Sequence, residues 1–335
     1  MTTSNPTMRA VFHDRYGTSN VLQLGRVAVP AIGDHDVLVD VRAAGLDRGT
    51  EHLMTGKPYA MRLVTGIRHP KNRVPGRDVA GIVADVGSAV TRFRIGDEVY
   101  GVAPGSFAEY AVARETQLAF KPRNLTFAQA AVVPVSAATA LRALVDVGRV
   151  QRGQSVLVLG ASGGVGTYAI QLAKAFGAEV TGVCSTTKTD LVASLGADHV
   201  LDYTRDEFAD GTRTYDLVLD IAGNPSLRQL RKALKHRGTA VFVGGEGSGA
   251  ITGMGRQVRG VLVSPFLKQR LVVLLAKERA SDYERLTDLI ETGQVVPSLD
   301  STYPLDEMPH AMRQLEAGKV RGKVAITCPS RTSRS

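Results

Sequence analysis

From residue 153 onward the chain alternates between short apolar runs and amphipathic stretches, and that alternation constrains the fold more than any other feature. Strand patterns fall at 155–159, 180–184, 199–201, 217–221 and 240–243, and helical patterns at about 167–176, 190–195 and 226–235. Parallel strands require crossover connections, so repeated strand–helix–strand units predict a doubly wound α/β domain, a parallel sheet with helices on both faces. Between the first strand and its helix lies Gly160-Ala-Ser162-Gly163-Gly164-Val165-Gly166. Glycines there let backbone approach a pyrophosphate, and the helix start supplies amide donors, which is the arrangement of a dinucleotide site. The spacing is slightly stretched relative to G-x-G-x-x-G, and no Gly-Lys-Ser/Thr follows, which excludes a Walker loop. A plain glycine turn is the alternative.

The second strand ends at Cys184, where NAD-selective domains carry an acid for the ribose hydroxyls. Residues 180–189 contain none; they offer Ser185, Thr186, Thr187 and Lys188, hydroxyls and a cation suited to a 2′-phosphate. NADPH is therefore expected over NADH, with a solvated helix entry as the plainer reading of Lys188.

Upstream, residues 8–123 show short alternating apolar runs broken by Gly, Pro and Asp, a β-rich, barrel-like texture. Thr126 and Gln129 form a capping-box signature, and a helix is expected from Ser136 through Val147, ending at Gly148. After Gly244 come a glycine-rich stretch to Gly260, an apolar triplet at 261–263, two helical segments and a strand over 323–327 expected to rejoin the first domain. The expected division is a β-rich domain over 1–125, a dinucleotide-binding domain over 126–298, and a C-terminal return over 299–335.

With 335 residues, two domains are natural, since single cores stop growing near about 250–300 residues. The 41 Lys plus Arg exceed the 32 Asp plus Glu, but the cations are dispersed among acids, which argues against nucleic acid as partner. The local basic cluster of Arg62, Arg68, His69, Lys71, Asn72 and Arg73 reads as a solvated loop or a contact for an anionic ligand. Only Cys184 and Cys328 are present, with no C-x-x-C, which leaves neither a disulfide framework nor a cysteine zinc lobe and fits a reducing, cytoplasmic setting. No signal-like start and no apolar run of membrane-spanning length are present, so no membrane is expected as partner, and the last residues read as a frayed polar tail.

The stretches Pro75-Gly-Arg-Asp-Val-Ala-Gly-Ile-Val-Ala-Asp-Val-Gly87, Gly96-Asp-Glu-Val-Tyr-Gly101, Ser136-Ala-Ala-Thr-Ala140 and Gly160 to Gly166 together resemble the medium-chain dehydrogenase/reductase superfamily, in its zinc-independent, quinone oxidoreductase-like branch. The resemblance runs from Met8 to Thr327. It implies a GroES-like catalytic domain, completed by the C-terminal strand, with the Rossmann domain inserted, and the active site in the cleft. Zinc-dependent relatives place a cysteine where Asp47 stands, a His-Glu pair at Arg77 and Asp78, and a cysteine near Val135, so the resemblance implies hydride transfer without a metal. A zinc ion on Asp47, His52 and Asp78 would have a poor tetrahedral donor set. By position, Ser162, Gly163, Gly164, Val165 and Gly166 match the pyrophosphate loop. Ser185, Lys188 and Tyr203 match residues that hold the 2′-phosphate and adenosine. Thr139 matches a position beside the nicotinamide ribose, Gly244 follows the strand facing the nicotinamide, Arg48 matches a pyrophosphate-reaching cation, and Lys323 resembles the terminal Gly-Lys element.

Reducing a quinone or an α,β-unsaturated carbonyl places negative charge on oxygen, which calls for hydrogen-bond donors and a proton source. The loop with Asp47, Arg48, Thr50, His52 and Tyr59 is the expected supply, with Tyr59 or His52 as proton donor; alternatively Asp47 caps a turn while His52 and Tyr59 pack the barrel edge. Alcohol or aldehyde oxidoreduction is a second enzyme reading, although all nine Tyr fail the Tyr-x-x-x-Lys spacing. A non-catalytic NADPH-binding module is the non-enzyme reading. A homodimer is expected through an exposed sheet edge at 261–263, with apolar surface added by 270–276.

Overall fold

The computed structural model describes residues 6–244, 255–275 and 279–328. Contacts divide the chain into two compact units: 1–135 with 278–291 and 299–335, and 136–277 with 292–298.

In the second unit the parallel sheet has the order His199–Asp202, Glu179–Cys184, Ser155–Leu159, Tyr215–Asp220, Leu234–Phe242, Arg270–Val273. In chain order this is 3-2-1-4-5-6, so the strand order reverses between Ser155–Leu159 and Tyr215–Asp220, where such sheets open a crevice at their carboxyl ends. Near-continuous apolar runs build these strands because both faces are covered: Val156, Leu157, Val158, Val218 and Leu219 are buried. The expected elements are all present; the first helix begins at Gly164, not Thr167, and strand Leu234–Phe242 begins six residues before the expected 240, where the helix pattern had run to 235. The segment expected as one helix from Ser136 runs as an α-helix over Pro134–Arg142 and continues as a π-helical turn over Ala143–Val147.

The expected sheet edge at 261–263 is incorrect. These residues form the last turn of a helix, Gly255–Val263, and the outer strand is Arg270–Val273. A Val-Leu-Val triplet favours a strand by composition, but the helix buries Gln257 and Gly260 three residues apart on one face. Gly260 sits so close to Phe242 that an added Cβ would lie 2.8 Å from its ring. Residues 245–254, within the glycine-rich stretch, Ala276 and the C-terminal tail lie outside the described residues.

In the first unit a seven-stranded sheet has the long strand Asp36–Leu46 at its centre. That strand pairs antiparallel with Asp78–Val86 on one side and with Lys323–Thr327 on the other, and also with Tyr110–Arg114. The C-terminal strand thus rejoins the β-rich unit as expected. A strand missed in the sequence, Leu299–Pro304, pairs parallel with Lys323–Thr327, and helix Met308–Glu316 connects the two. The core beneath the sheet gathers Val37, Val39, Val41, Val79, Val83, Val99, Phe107 and Ile326. Helix Ala280–Glu291 belongs to this unit, its Tyr283 carbonyl accepting the Tyr100 hydroxyl at 2.7 Å.

Candidate functional site

Gly160 follows strand Ser155–Leu159 with φ +84°, a left-handed conformation that favours glycine, and an added Cβ would meet Ala222 at 2.7 Å in the loop after strand Tyr215–Asp220. The two loops therefore touch at the point where strand order reverses. At Gly166 a Cβ would lie 2.2 Å from the Gly160 carbonyl oxygen, so the helix start and the turn pack backbone to backbone. Gly163 is different. Its φ is −86°, and the nearest atom to an added Cβ is the Gly160 oxygen at 3.5 Å, an ordinary contact. Among the described residues nothing crowds a Cβ there, so the exposed backbone of Gly163 leaves room for an external group to approach closely. Gly163 precedes helix Gly164–Ala175, whose first turn holds no acid and is capped by no described side chain. Orphan amides and the helix dipole at this end suit an anion. Ser162 is buried in the loop, and Gly164 and Val165 are half-buried. These residues fit a dinucleotide pyrophosphate.

At the end of strand Glu179–Cys184, Ser185 and Lys188 are half-buried and Tyr203 is exposed, its N–H donating to the Cys184 carbonyl at 3.0 Å. Sequence reasoning missed Asp202 here. Register pairs Asp202 with Cys184, which puts a carboxylate beside a segment that has no acid of its own. Asp202 accepts the Thr186 hydroxyl at 2.5 Å and the Thr204 N–H and hydroxyl at 3.0 and 2.8 Å. The Thr186 hydroxyl, followed by Thr204 N–H, holds its carboxyl below the usual range. Thr139 lies half-buried on helix Pro134–Arg142. Gly244 donates its N–H to the Asp220 carbonyl at 3.2 Å, and a Cβ there would lie 2.2 Å from the Ile221 oxygen. Asp220, also missed, ends its strand with a buried carboxylate 2.5 Å from the Arg256 guanidinium; burial raises its carboxyl above the usual range and Arg256 opposes that.

In the first unit, Asp47 caps helix Arg48–Thr55: its Oδ1 accepts the Thr50 N–H at 2.8 Å and the Thr50 hydroxyl at 3.1 Å. Thr50 is buried, and its hydroxyl hydrogen is directed to Asp47, which leaves the oxygen as an acceptor. The other Asp47 oxygen lies 3.8 Å from the Lys323 ammonium, which is itself 3.2 Å from Asp78 Oδ2. Asp78 Oδ1 accepts the Val135 N–H at 2.8 Å. Strand register explains the convergence, because Gly45 pairs with Asp78 and Leu46 with Val324, so three adjacent strands deliver all three charges to the end of the central one. Gly45 makes room, since a Cβ would lie 2.4 Å from the Ala131 oxygen and 2.8 Å from Asp78 Cβ. Burial pushes the Asp78 carboxyl up to about 6, with Lys323 opposing.

Arg48 pairs with Glu51 at 2.6 Å. His52 is half-buried on the same helix, and Tyr59 is exposed in the next turn with the Arg62 guanidinium 4.8 Å from its ring centre. Arg62 also lies 4.3 Å over the Tyr16 ring and donates to the Gly56 and Thr55 carbonyls, and Arg73 pairs with Asp14 at 2.5 Å. Two cations of the basic cluster thus have internal partners. Among the described residues, no group of three or more His, Cys, Asp or Glu is placed to hold a metal ion.

A family model described as alcohol dehydrogenase GroES-like domain matches residues 33–123, and one described as zinc-binding dehydrogenase matches residues 195–326. The chain is 37% identical to a 2-methylene-furan-3-one reductase of Solanum lycopersicum and 36% identical to a chloroplastic NADPH-dependent alkenal/one oxidoreductase of Arabidopsis thaliana, in each case over 95% of this chain and 79% of the relative. Among solved structures it is similar to the quinone oxidoreductase from Coxiella burnetii, with a TM-score of 0.85, 28% identity, and coverage of 96% of this chain and 99% of that one. With a Rossmann sheet and a GroES-like β unit both in place, the chain belongs to the medium-chain dehydrogenase/reductase family.

Proposed function

We propose that the protein is an NADPH-dependent oxidoreductase that reduces quinones or α,β-unsaturated carbonyls. The observation that carries this reading is Gly163 before an uncapped helix: a glycine that no described residue crowds, at an amide-rich start, on the loop where strand order reverses. Relatives named as reductases of a methylene-furanone and of alkenals and enones support the substrate class. Bound NADPH would supply the hydride. Ser162 to Gly166 hold the pyrophosphate, Ser185, Lys188 and Tyr203 surround the 2′-phosphate and adenosine, and Thr139 and Gly244 flank the nicotinamide end. Asp47, Thr50, His52 and Tyr59 remain the assigned catalytic loop. Of these, His52 and Tyr59 are the residues left to donate a proton, because the Thr50 hydrogen is directed to Asp47. Arg48 serves the pyrophosphate only by leaving Glu51.

The reaction proceeds without zinc in this reading. The donor set supports that: Asp47 stands where the zinc-dependent pattern has a cysteine and Arg77 where it has a histidine, and an ammonium already lies between Asp47 and Asp78. A homodimer belongs to the same proposal, now through the outer strand Arg270–Val273, beside which Leu262, Phe266 and Leu275 are exposed. A cytoplasmic setting rests on the two buried, unbridged cysteines. No helix among the described residues is long and apolar enough to cross a membrane.

The test is oxidation of NADPH, with NADH in parallel, against panels of small quinones, enones and aldehydes, and of NADP⁺ against alcohols. Enone or quinone turnover that persists after chelation is the expected result. NADPH binding without oxidation across the panel would leave a binding module, and turnover confined to alcohols or aldehydes would replace the substrate class.

A further inference from the structure

The Lys323 side chain is 1% exposed, and its ammonium is held by Asp78 Oδ2 at 3.2 Å and faces Asp47 Oδ2 at 3.8 Å. A cation in that position is poorly placed to meet a phosphate, since two carboxylates would repel the incoming anion and the ammonium has no path to solvent. It has a different effect. Asp47 uses one oxygen to hold the start of helix Arg48–Thr55 and turns the other toward Lys323, so the ammonium fixes which way the carboxylate faces. Asp78 is in turn fixed by the Val135 amide and by close packing against Gly45. The chain of contacts runs from a backbone N–H through Asp78, Lys323 and Asp47 to Thr50, and every link lies in one compact unit.

We propose that Lys323 is a positioning residue and not a coenzyme ligand: its buried ammonium, anchored on Asp78, orients Asp47 and thereby sets the hydrogen bonding of the loop that begins at Asp47. The proposal rests on the reductase reading, because the loop matters to turnover only if that reading holds. The ammonium occupies the place between Asp47 and Asp78 where a divalent ion would otherwise be invoked. With one oxygen turned toward the ammonium, Asp47 keeps the other on the Thr50 hydroxyl.

The experiment compares the wild-type chain with Lys323→Met and with the double variant Lys323→Met/Asp78→Asn, which removes both buried charges and protects against failure of the single variant to fold. NADPH affinity is read by fluorescence titration, and kcat and KM for an enone are read at saturating NADPH. The expected result is an NADPH Kd within about twofold of wild type, a kcat lowered by about tenfold or more, and a KM for the enone within about twofold of wild type. A Kd weakened by about tenfold with kcat retained would make Lys323 a phosphate ligand and overturn the proposal. An unchanged kcat in a folded double variant would reduce the network to packing and overturn it equally. The wild-type measurement separates the two levels: an active wild type with unaffected variants sinks only the positioning role, whereas a wild type that turns over no substrate sinks the reductase reading and this proposal with it.

Discussion

Gly163 and Asp47 each stand immediately before a helix, and they treat its exposed amides in opposite ways. Gly163 places no side chain on helix Gly164–Ala175, and no acid follows in its first turn. Asp47 places a carboxylate on the amide of Thr50, and Glu51 adds a second acid in the first turn of Arg48–Thr55. A helix start is a partial positive charge that favours an anion. One start carries no side-chain cap, which suits an anion from outside, and the other is already satisfied from within. The cations follow the same division: Arg48 is paired with Glu51, and Lys323 with Asp78 and Asp47, so the second helix start has no unbalanced positive charge to offer a phosphate.

The largest effect that would break this comparison lies in the closed region. Lys323→Met leaves Asp78 buried without its cation, and loss of one partner from a buried pair is expected to lower stability by about 3–5 kcal/mol, read by denaturant unfolding. The double variant with Asp78→Asn should recover much of that loss. A loss under about 1 kcal/mol in the single variant would mean that the region opens to water, and the contrast with the first helix would fail.

The same pair gives a pH signature. Burial raises Asp78 from its ordinary value of 3.8 to about 6, so the folded state holds a proton that the unfolded chain releases. Its contribution to stability is therefore full below about pH 4 and is lost as pH rises through about 6, to an extent on the order of 3 kcal/mol. Unfolding of wild type measured against Asp78→Asn across that window should show the wild type losing ground as pH rises. A flat difference would place the Asp78 carboxyl at its ordinary value.

In the open region, backbone decides. Gly166→Ala puts a Cβ 2.2 Å from the Gly160 oxygen and should weaken NADPH binding by about a hundredfold, since the turn must shift off the amides. Gly163→Ala meets no such contact inside the protein, so it should leave unfolding unchanged and weaken NADPH by about tenfold through collision with the ligand alone. Equal effects of the two alanines on stability would contradict the separation of their roles.

These regions differ just as much in how much of them can be read from sequence. Strand, glycines and helix over 155–175 are contiguous, and each is encoded by local period or by a backbone need, so the loop can be read directly from the chain. The Asp78 and Lys323 charges are 245 residues apart and meet only through the register of three strands, which no local pattern records. Lys323, read from sequence as part of a terminal Gly-Lys element beside the coenzyme, is enclosed in the fold against Asp78 and Asp47. Helix Gly255–Val263 was hidden for a related reason: its buried positions are a glutamine and a glycine, and the Val-Leu-Val that suggested a strand is its exposed end.

Asp202 is the place where the second unit does not follow the contrast, because there a side chain enters through register into a site otherwise built from backbone. Its carboxylate is directed to Thr186 and Thr204, with the exposed Arg205 guanidinium 3.9 Å away, and Ser185, Lys188 and Tyr203 lie around the same strand end. Asp202→Asn removes the negative charge and keeps one of the two accepting oxygens, while its amide donates to the other threonine oxygen where the carboxylate had accepted. If a 2′-phosphate binds here, NADPH affinity should rise by about threefold at low ionic strength while NADH affinity stays fixed, and the gain should shrink as salt is added. An equal change for both coenzymes would mean that Asp202 acts on the ribose, and the absence of acid between Val180 and Thr189 would then have no bearing on coenzyme choice.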